Sequence, residues 1–466
     1  MKTYQDLLAV SEDEQERIDF VRMVIAEHKS SDLYKKARIA QTYFRKENAT
    51  IRNYQKILYT ITGLAVPDNY SANWKMKHGF FHRFIVQEVQ HLLSNGVTWK
   101  NSRTRDMMGD NFDTRLQKAA KDAAVCGVSY CFWNLDHIEE FPCTEFAGMY
   151  DEEGGALKAG VRFWQIDDRK PLRATLYEPD GYTEYIWRKS EGSVLREKRP
   201  YILKVRQSEA DGTEIYDFQN YPDFPIVPLY ANQEHESELT GLREQIDCYD
   251  LIKSGFANDV DDASMIYWTI QNAGGMDDID LAKFVERMKT VHAAVVDDDG
   301  AKAEAHTLEV PYASRDSLLD RLKRDLYQDA MALDVENIAS GAITATQIQA
   351  AYEPLDSKCD DLEYCVLEFL QHILYLAGIT DEDPSFTRSY IINRQEEINA
   401  VVSASQFLDE EYCTRKILTI FGDGDQADEI IKRMDADELE RGGNLFAESP
   451  QAASNAFDGN NPAEEV

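Results

Sequence analysis

The feature that most constrains this chain is an apolar stripe at Ile348, Tyr352, Leu355, Cys359, Leu362, Val366, Phe369, Ile373 and Leu376. Its alternating steps of three and four predict one helix of about eight turns with a single buried side. Ahead of it, Ser340, Gly341, Ala342 and Ile343 read as a small-residue loop, and Thr344, Ala345, Thr346, Gln347 have the form of a helix capping box. Pro354 lies near the start of the stripe. It has no N–H for the carbonyl of Ala350 and its ring crowds that turn, which predicts a kink. A kinked helix behind a loop suits a mechanical part, while a long core helix with a tolerated proline is the plainer alternative.

Composition narrows the function. The 466 residues are 43% hydrophobic, enough for a sizeable folded body, and carry a formal net charge of −34 from 84 acidic and 50 basic side chains. Such a surface repels phosphate and disfavours tight wrapping of nucleic acid, yet allows DNA to pass without sticking. Met1 to Val10 lacks the basic and apolar regions of a signal peptide, and no run has the length of a membrane span, so cytosolic assembly and no membrane partner are expected. The seven cysteines, at 126, 131, 143, 248, 359, 365 and 413, have no disulfide or zinc spacing and are expected as buried free thiols.

Along the chain, residues 13 to 45 read as helical. A helix is expected from Lys75 to Leu93, with Phe80, Phe81, Phe84, Ile85, Glu88, Val89 and Leu92 on its face and Asn95, Gly96 at its end. Another runs from about Asp113 to Val125 and stops at Gly127. From Val128 to Tyr230 the period is two and turn signals recur, which predicts an antiparallel sheet region. Pro225 and Pro228 bar the segment from Phe224 to Asn232 from a central strand. Two helices, from Glu238 and from Ser314 to about Met331, bracket some fifty residues that read as a strand at Met265 to Gln271, a small helix near Asp280 to Lys289, and a hairpin turning at Asp299 and Gly300. A strand at Ser385 to Ile392 and helices within 394 to 440 follow, and the tail from Gly442 has little to bury. The fold class is α+β.

Catalytic motifs are missing. Gly155 to Gly160 begins like a phosphate loop but continues with Val161 and Arg162 in place of Lys and Ser or Thr. The Asp clusters at 259, 261 and 262, at 277, 278 and 280, and at 297 to 299 read as solvated faces. No cofactor and no metal ligand set is expected. On the helix from Ser314, Arg315, Arg321, Lys323 and Arg324 serve either solubility or contacts across subunit boundaries, as do Glu244, Asp247 and Asp250 on the helix before it.

Four stretches carry a resemblance: Asn73 through Gly96; Ala124 to Tyr130; Pro225 through Asn232 into Ile246, Asp247, Tyr249, Asp250, Ser254, Ala257, Asn258 and Asp259; and Ser340, Gly341, Thr344 to Ile348 with the long helix and Lys358. In this order they resemble the portal proteins of tailed bacteriophages, the large family like the Bacillus phage (SPP1-like) portal, over most of residues 30 to 440. The resemblance implies an elongated portal fold: wing 1–237, first stem helix 238–262, small α/β clip 263–311, second stem helix 312–331, tunnel loop 332–346, long kinked helix and return to the wing 347–393, helical crown 394–440, and tail 441–466.

It also implies a ring of twelve identical subunits at one capsid vertex, through which double-stranded DNA is packaged and ejected. The implied partners are the terminase large subunit, the major capsid and scaffold proteins and a head–tail adaptor. Ser340, Gly341, Thr344, Thr346 and Gln347 would face the DNA channel, and Pro354 would let the loop move. The family's lysine after the Ser-Gly element is replaced here by the Thr344 to Gln347 run, which removes a direct lysine–phosphate contact from the expectation. The alternatives are an acidic cytosolic adaptor and a metal-dependent nuclease using the Asp clusters.

Overall fold

The computed structural model describes residues 2–59, 63–68, 73–189, 191–207, 214–263, 267–271, 302–306, 312–336, 345–390, 398, 401–421 and 427–434. The chain divides into two compact units, Met1–Ile343 with Ile348–Ser389, and Thr344–Gln347 with Tyr390–Val466.

In the first unit α1 (Tyr4–Leu8), α2 (Glu14–Ser30) and α3 (Asp32–Phe44) lead into the short α4 (Ala49–Asn53). The helical stretch expected over 13 to 45 is thus built as two helices. Ser31 has extended backbone angles, and its hydroxyl accepts from the Tyr34 N–H to cap α3 while its own N–H closes α2 on His28. The strand pair β1 (Ile57–Tyr59) and β2 (Ala65–Pro67) precedes α5 (Phe80–Leu93), which starts five residues later than the periodicity predicts. After β3 (Val97–Thr98), α6 (Ser102–Met108) and α7 (Phe112–Cys126), Gly127 turns the chain at φ 91°. A side chain there would stand 2.9 Å from the His235 carbonyl oxygen, so the stop needs glycine.

The period-two region forms three antiparallel sheets. β4 (Val128–Trp133) and β5 (Ile138–Pro142) join β13 (Ile226–Tyr230) in the order β13-β4-β5, which leaves the proline-bearing strand at an edge as expected. A five-stranded meander is built from β6 (Phe146–Tyr150), β7 (Leu157–Trp164), β8 (Leu172–Glu178), β9 (Gly181–Arg188) and β10 (Glu191–Arg199). β11 (Ile202–Gln207) and β12 (Glu214–Gln219) pair separately.

α8 (Arg243–Ala263) and α9 (Tyr312–Asp329) pack as a helical hairpin. Between them β14 (Tyr267–Gln271) pairs with β15 (Lys302–His306), while the small helix and the Asp299–Gly300 turn lie outside the described residues. The long helix α10 (Ala345–Ala377) contains Pro354 and stays helical on both sides of it. β16 covers Ser385–Phe386 and pairs with β3; the strand expected to Ile392 does not continue over residues 387 to 390, and its last two positions lie outside the described residues. In the second unit, Arg415 on α11 (Glu410–Phe421) pairs with Glu411 at 2.8 Å and Asp428 at 2.6 Å.

Among the described residues, three apolar clusters hold the first unit. α2 covers one face of the meander through Ile18, Val21 and Ile25 against Val161, Leu176 and Trp187. The main core joins α5, the alanine-rich α7, the β13-β4-β5 sheet and the far part of α10, from Leu362 to Leu376. Tyr352, Leu355 and Cys359 instead pack on Leu333, just beyond α9. The single stripe of the sequence therefore serves two clusters that divide between Cys359 and Leu362.

Candidate functional site

The outward faces of the α8–α9 hairpin and the anchorage of α10 are where charge and burial meet. The sequence expectation places Asp250 at a subunit boundary, and here the fold differs. Asp250 is fully buried; its carboxylate accepts from the His78 N–H at 3.1 Å, faces His78 Nδ1 at 2.8 Å and is bonded by Asn48 Nδ2. No part of it is left for a neighbouring subunit.

Two further rungs follow along α8. Ser254 Oγ accepts from the Met76 N–H at 2.9 Å, and Asn258 Oδ1 accepts from the Trp74 N–H at 2.6 Å. Four helical residues rise about 6 Å and two extended residues about 6.6 Å, so positions 250, 254 and 258 match 78, 76 and 74 of an extended strap. This explains the late start of α5. A buried side chain every fourth residue of α8 satisfies the backbone donors of Trp74, Met76 and His78 in the extended strap.

Asp247 is also turned inward, accepting from Thr50 Oγ1 at 2.7 Å and from Tyr43 Oη, with Arg243 at 3.7 Å. Glu244 remains exposed. On α9, Arg315 pairs with Asp259 of α8, and Lys323 pairs with Glu336. Arg321 and Arg324 are exposed; Arg321 stands 3.9 Å from Asp325. With Gln328 and Pro354 they line one cleft of about 670 Å³, which brings the arginines of α9 and the proline of α10 together. Ser340, Gly341 and Thr344 lie outside the described residues, Thr346 falls in the first turn of α10, and Gln347 is exposed there.

Sequence reasoning missed the centre of the anchorage. Lys358 on α10 sits at the division between the two apolar clusters, with its ammonium 2.9 Å from the Glu88 carboxylate of α5 and 2.8 Å from that of Glu238. The same nitrogen donates to the Ala330 carbonyl at 3.4 Å, and Asn232 Nδ2 holds the other Glu238 oxygen at 2.9 Å. Burial works against the charged lysine, but the two carboxylates outweigh it and hold the ammonium above its ordinary range. One ammonium cannot neutralise both the buried Glu88 carboxylate and the half-buried Glu238 carboxylate. Glu88, 1% exposed, yields: burial pushes its pKa up to about 7, against the pull of Lys358 and with the repulsion of Glu238. A signal was present, because Glu88 stands on the apolar face of α5 and Lys358 beside Cys359 in the stripe of α10, and a buried charge needs a partner.

Farther along, Arg388 reaches Asp356 at 3.2 Å, Glu363 at 2.8 Å and Asp360, which ties the 385–389 segment to α10. The Asp259 and Asp261 side chains are engaged by Arg315 and by Trp74 Nε1, the latter at 3.2 Å. Among the described residues no three His, Cys, Asp or Glu side chains are grouped to hold a metal, and no helix is long and apolar enough to cross a membrane. All seven cysteines are free; five are buried, but Cys248 is exposed on α8, where a buried thiol is expected.

The family model described as "Phage portal protein, SPP1 Gp6-like" matches residues 25–440. The chain belongs to this phage portal protein family. It is similar to the portal protein of Bacillus phage SPP1, 24% identical over 419 residues that cover 82% of this chain and 79% of the relative. It is also similar to the portal protein of Clostridium phage phiCD119, 22% identical over 364 residues, 70% of this chain and 77% of that one. The match includes all four stretches of the resemblance.

Proposed function

We propose that this chain forms a closed ring of about twelve subunits at one capsid vertex, a heterologous assembly in which two different faces of each copy meet. Double-stranded DNA passes through the ring during packaging and again during ejection. The ring is the platform for the terminase large subunit and for the head–tail adaptor, and it is built in with scaffold and major capsid proteins. Its role is structural, without catalysis. The observation that carries this is the family match across residues 25–440, supported by a net charge of −34 that lets a polyanion slide past.

Within that ring, residues 1–237 act as wing, 238–262 and 312–331 as stem, 263–311 as clip, 332–346 as tunnel loop, 347–393 as long helix and return, and 394–440 as crown. Ser340, Gly341, Thr344, Thr346 and Gln347 offer transient polar contact to DNA, and Pro354 relieves the helix behind them. Arg321 and Arg324 face the neighbouring copy, whose exposed Glu244 supplies opposite charge. Asp250 takes no part in that boundary because its carboxylate is fully buried inside the chain, whereas Asp247 is bonded within the chain but keeps a partly exposed side chain.

Supplying the protein in trans to an infection whose phage lacks its own copy tests the proposal. Heads filled with DNA support it, and heads that assemble but stay empty, with the supplied protein at their vertex, contradict it.

A further inference from the structure

The α8–α9 hairpin leaves and re-enters the body at two places, and both are held by the same group. Glu238 lies five residues before α8, and Ala330 is the first residue after α9. Both contact the Lys358 ammonium, at 2.8 Å and 3.4 Å. Glu88 holds that ammonium from α5 at 2.9 Å, and Cys359 Sγ donates to the Glu88 carbonyl at 3.6 Å.

The neighbour of Glu88 makes a second clasp. Gln87 Oε1 accepts from the Leu333 N–H at 3.2 Å, and Gln87 Nε2 donates to the Leu333 carbonyl at 3.1 Å. A side-chain amide thus pairs with one residue's backbone as a strand neighbour would, and that residue's side chain is buried against Tyr352, Leu355 and Cys359 of α10. Residues 330 to 333 are therefore gripped by backbone, side chain and charge, on α5 and α10 at once.

We infer that Lys358 and Gln87 are positioning residues that form a joint, coupling both feet of the α8–α9 hairpin to the long helix α10 so that the two shift together. The functional consequence rests on the portal proposal: a displacement of the stem is passed to the long helix without loss at the hairpin's base. Neither residue needs to touch DNA.

Hydrogen exchange on the full-length protein tests the joint, with filled heads in the complementation assay as the functional readout. In Gln87→Ala the Leu333 amide is expected to exchange at least tenfold faster, with Met331 and Ala332 following, while amides of α7 and β4 keep their rates. Gln87→Glu keeps the acceptor and is expected to retain most of the Leu333 protection. Because Lys358→Met leaves the buried Glu88 and its neighbour Glu238 without a counter-charge, the triple variant Lys358→Met, Glu88→Gln, Glu238→Gln removes the joint without that burden. It is expected to fold, to exchange faster at 330 to 333, and to fill several-fold fewer heads while still assembling rings. Unchanged exchange in Gln87→Ala and the triple variant, or faster exchange with normal filling, overturns the inference. If the unmodified chain itself fails to fill heads, the portal proposal fails, and the exchange result still decides whether the joint exists in the fold.

Discussion

The meander with α2 and the α8–α9 hairpin with α10 are stabilised by different means. In the meander, apolar residues near one another in sequence alternate across strands and meet one helix, as Val161, Leu176 and Trp187 meet Val21. In the hairpin, the decisive contacts are polar and join residues far apart, as Lys358 joins Glu88 and Glu238, and Asp250 joins His78. Apolar packing tolerates small shifts, whereas a buried charge is stabilising only with its partner in place. The hairpin region therefore has sharper positional control and a steeper penalty for single substitutions.

The steepest break is expected at Lys358. Lys358→Ala leaves Glu88 and Glu238 without their counter-charge, and unfolding experiments should register a loss of about 3–5 kcal/mol. In the meander, Leu176→Ala should cost about 2–5 kcal/mol through a cavity, with hydrogen exchange rising around α2 and not at the Lys358 node. Ser254→Ala removes the middle rung of the strap and orphans the Met76 N–H, for about 1–3 kcal/mol, with faster exchange confined to 74–78.

The pH dependence sharpens the contrast. Glu88 has its pKa raised from 4.5 to about 7, so the folded form holds a proton that the unfolded form releases. That contribution is complete below about pH 4.5 and fades as the pH rises to about 7. Glu88→Gln should flatten thermal stability against pH in this window and leave the effect of Leu176→Ala unchanged. The smallest effect is expected at Arg321, where exposure limits the change for Arg321→Ala to about 0.5 kcal/mol, while ring formation weakens if this side chain faces a neighbouring copy.

The two regions also differ in how far the sequence revealed them. Strand alternation at Val161 and Phe163, the stop at Gly127, the edge position of Pro228 and the stripe of α10 are local patterns, and the fold has each of them. The strap was hidden because residues 75 to 79 fit a helical pattern and only the side chains of α8, more than 170 positions away, draw their backbone into an extended course. The same distance led Asp250 to read as a subunit contact. Glu88 and Lys358 were each visible as charges on apolar faces, but pairing them needs three-dimensional proximity. What the sequence did carry of the function came through motif order, since ring formation and DNA passage leave no catalytic signature.

The most direct test of the account is the mass and symmetry of the purified protein, by light scattering with negative-stain imaging across a concentration series. The expected result is a ring of about twelve copies around a central hole, the closed heterologous assembly. A compact dimer without a channel, stable at every concentration, would contradict it.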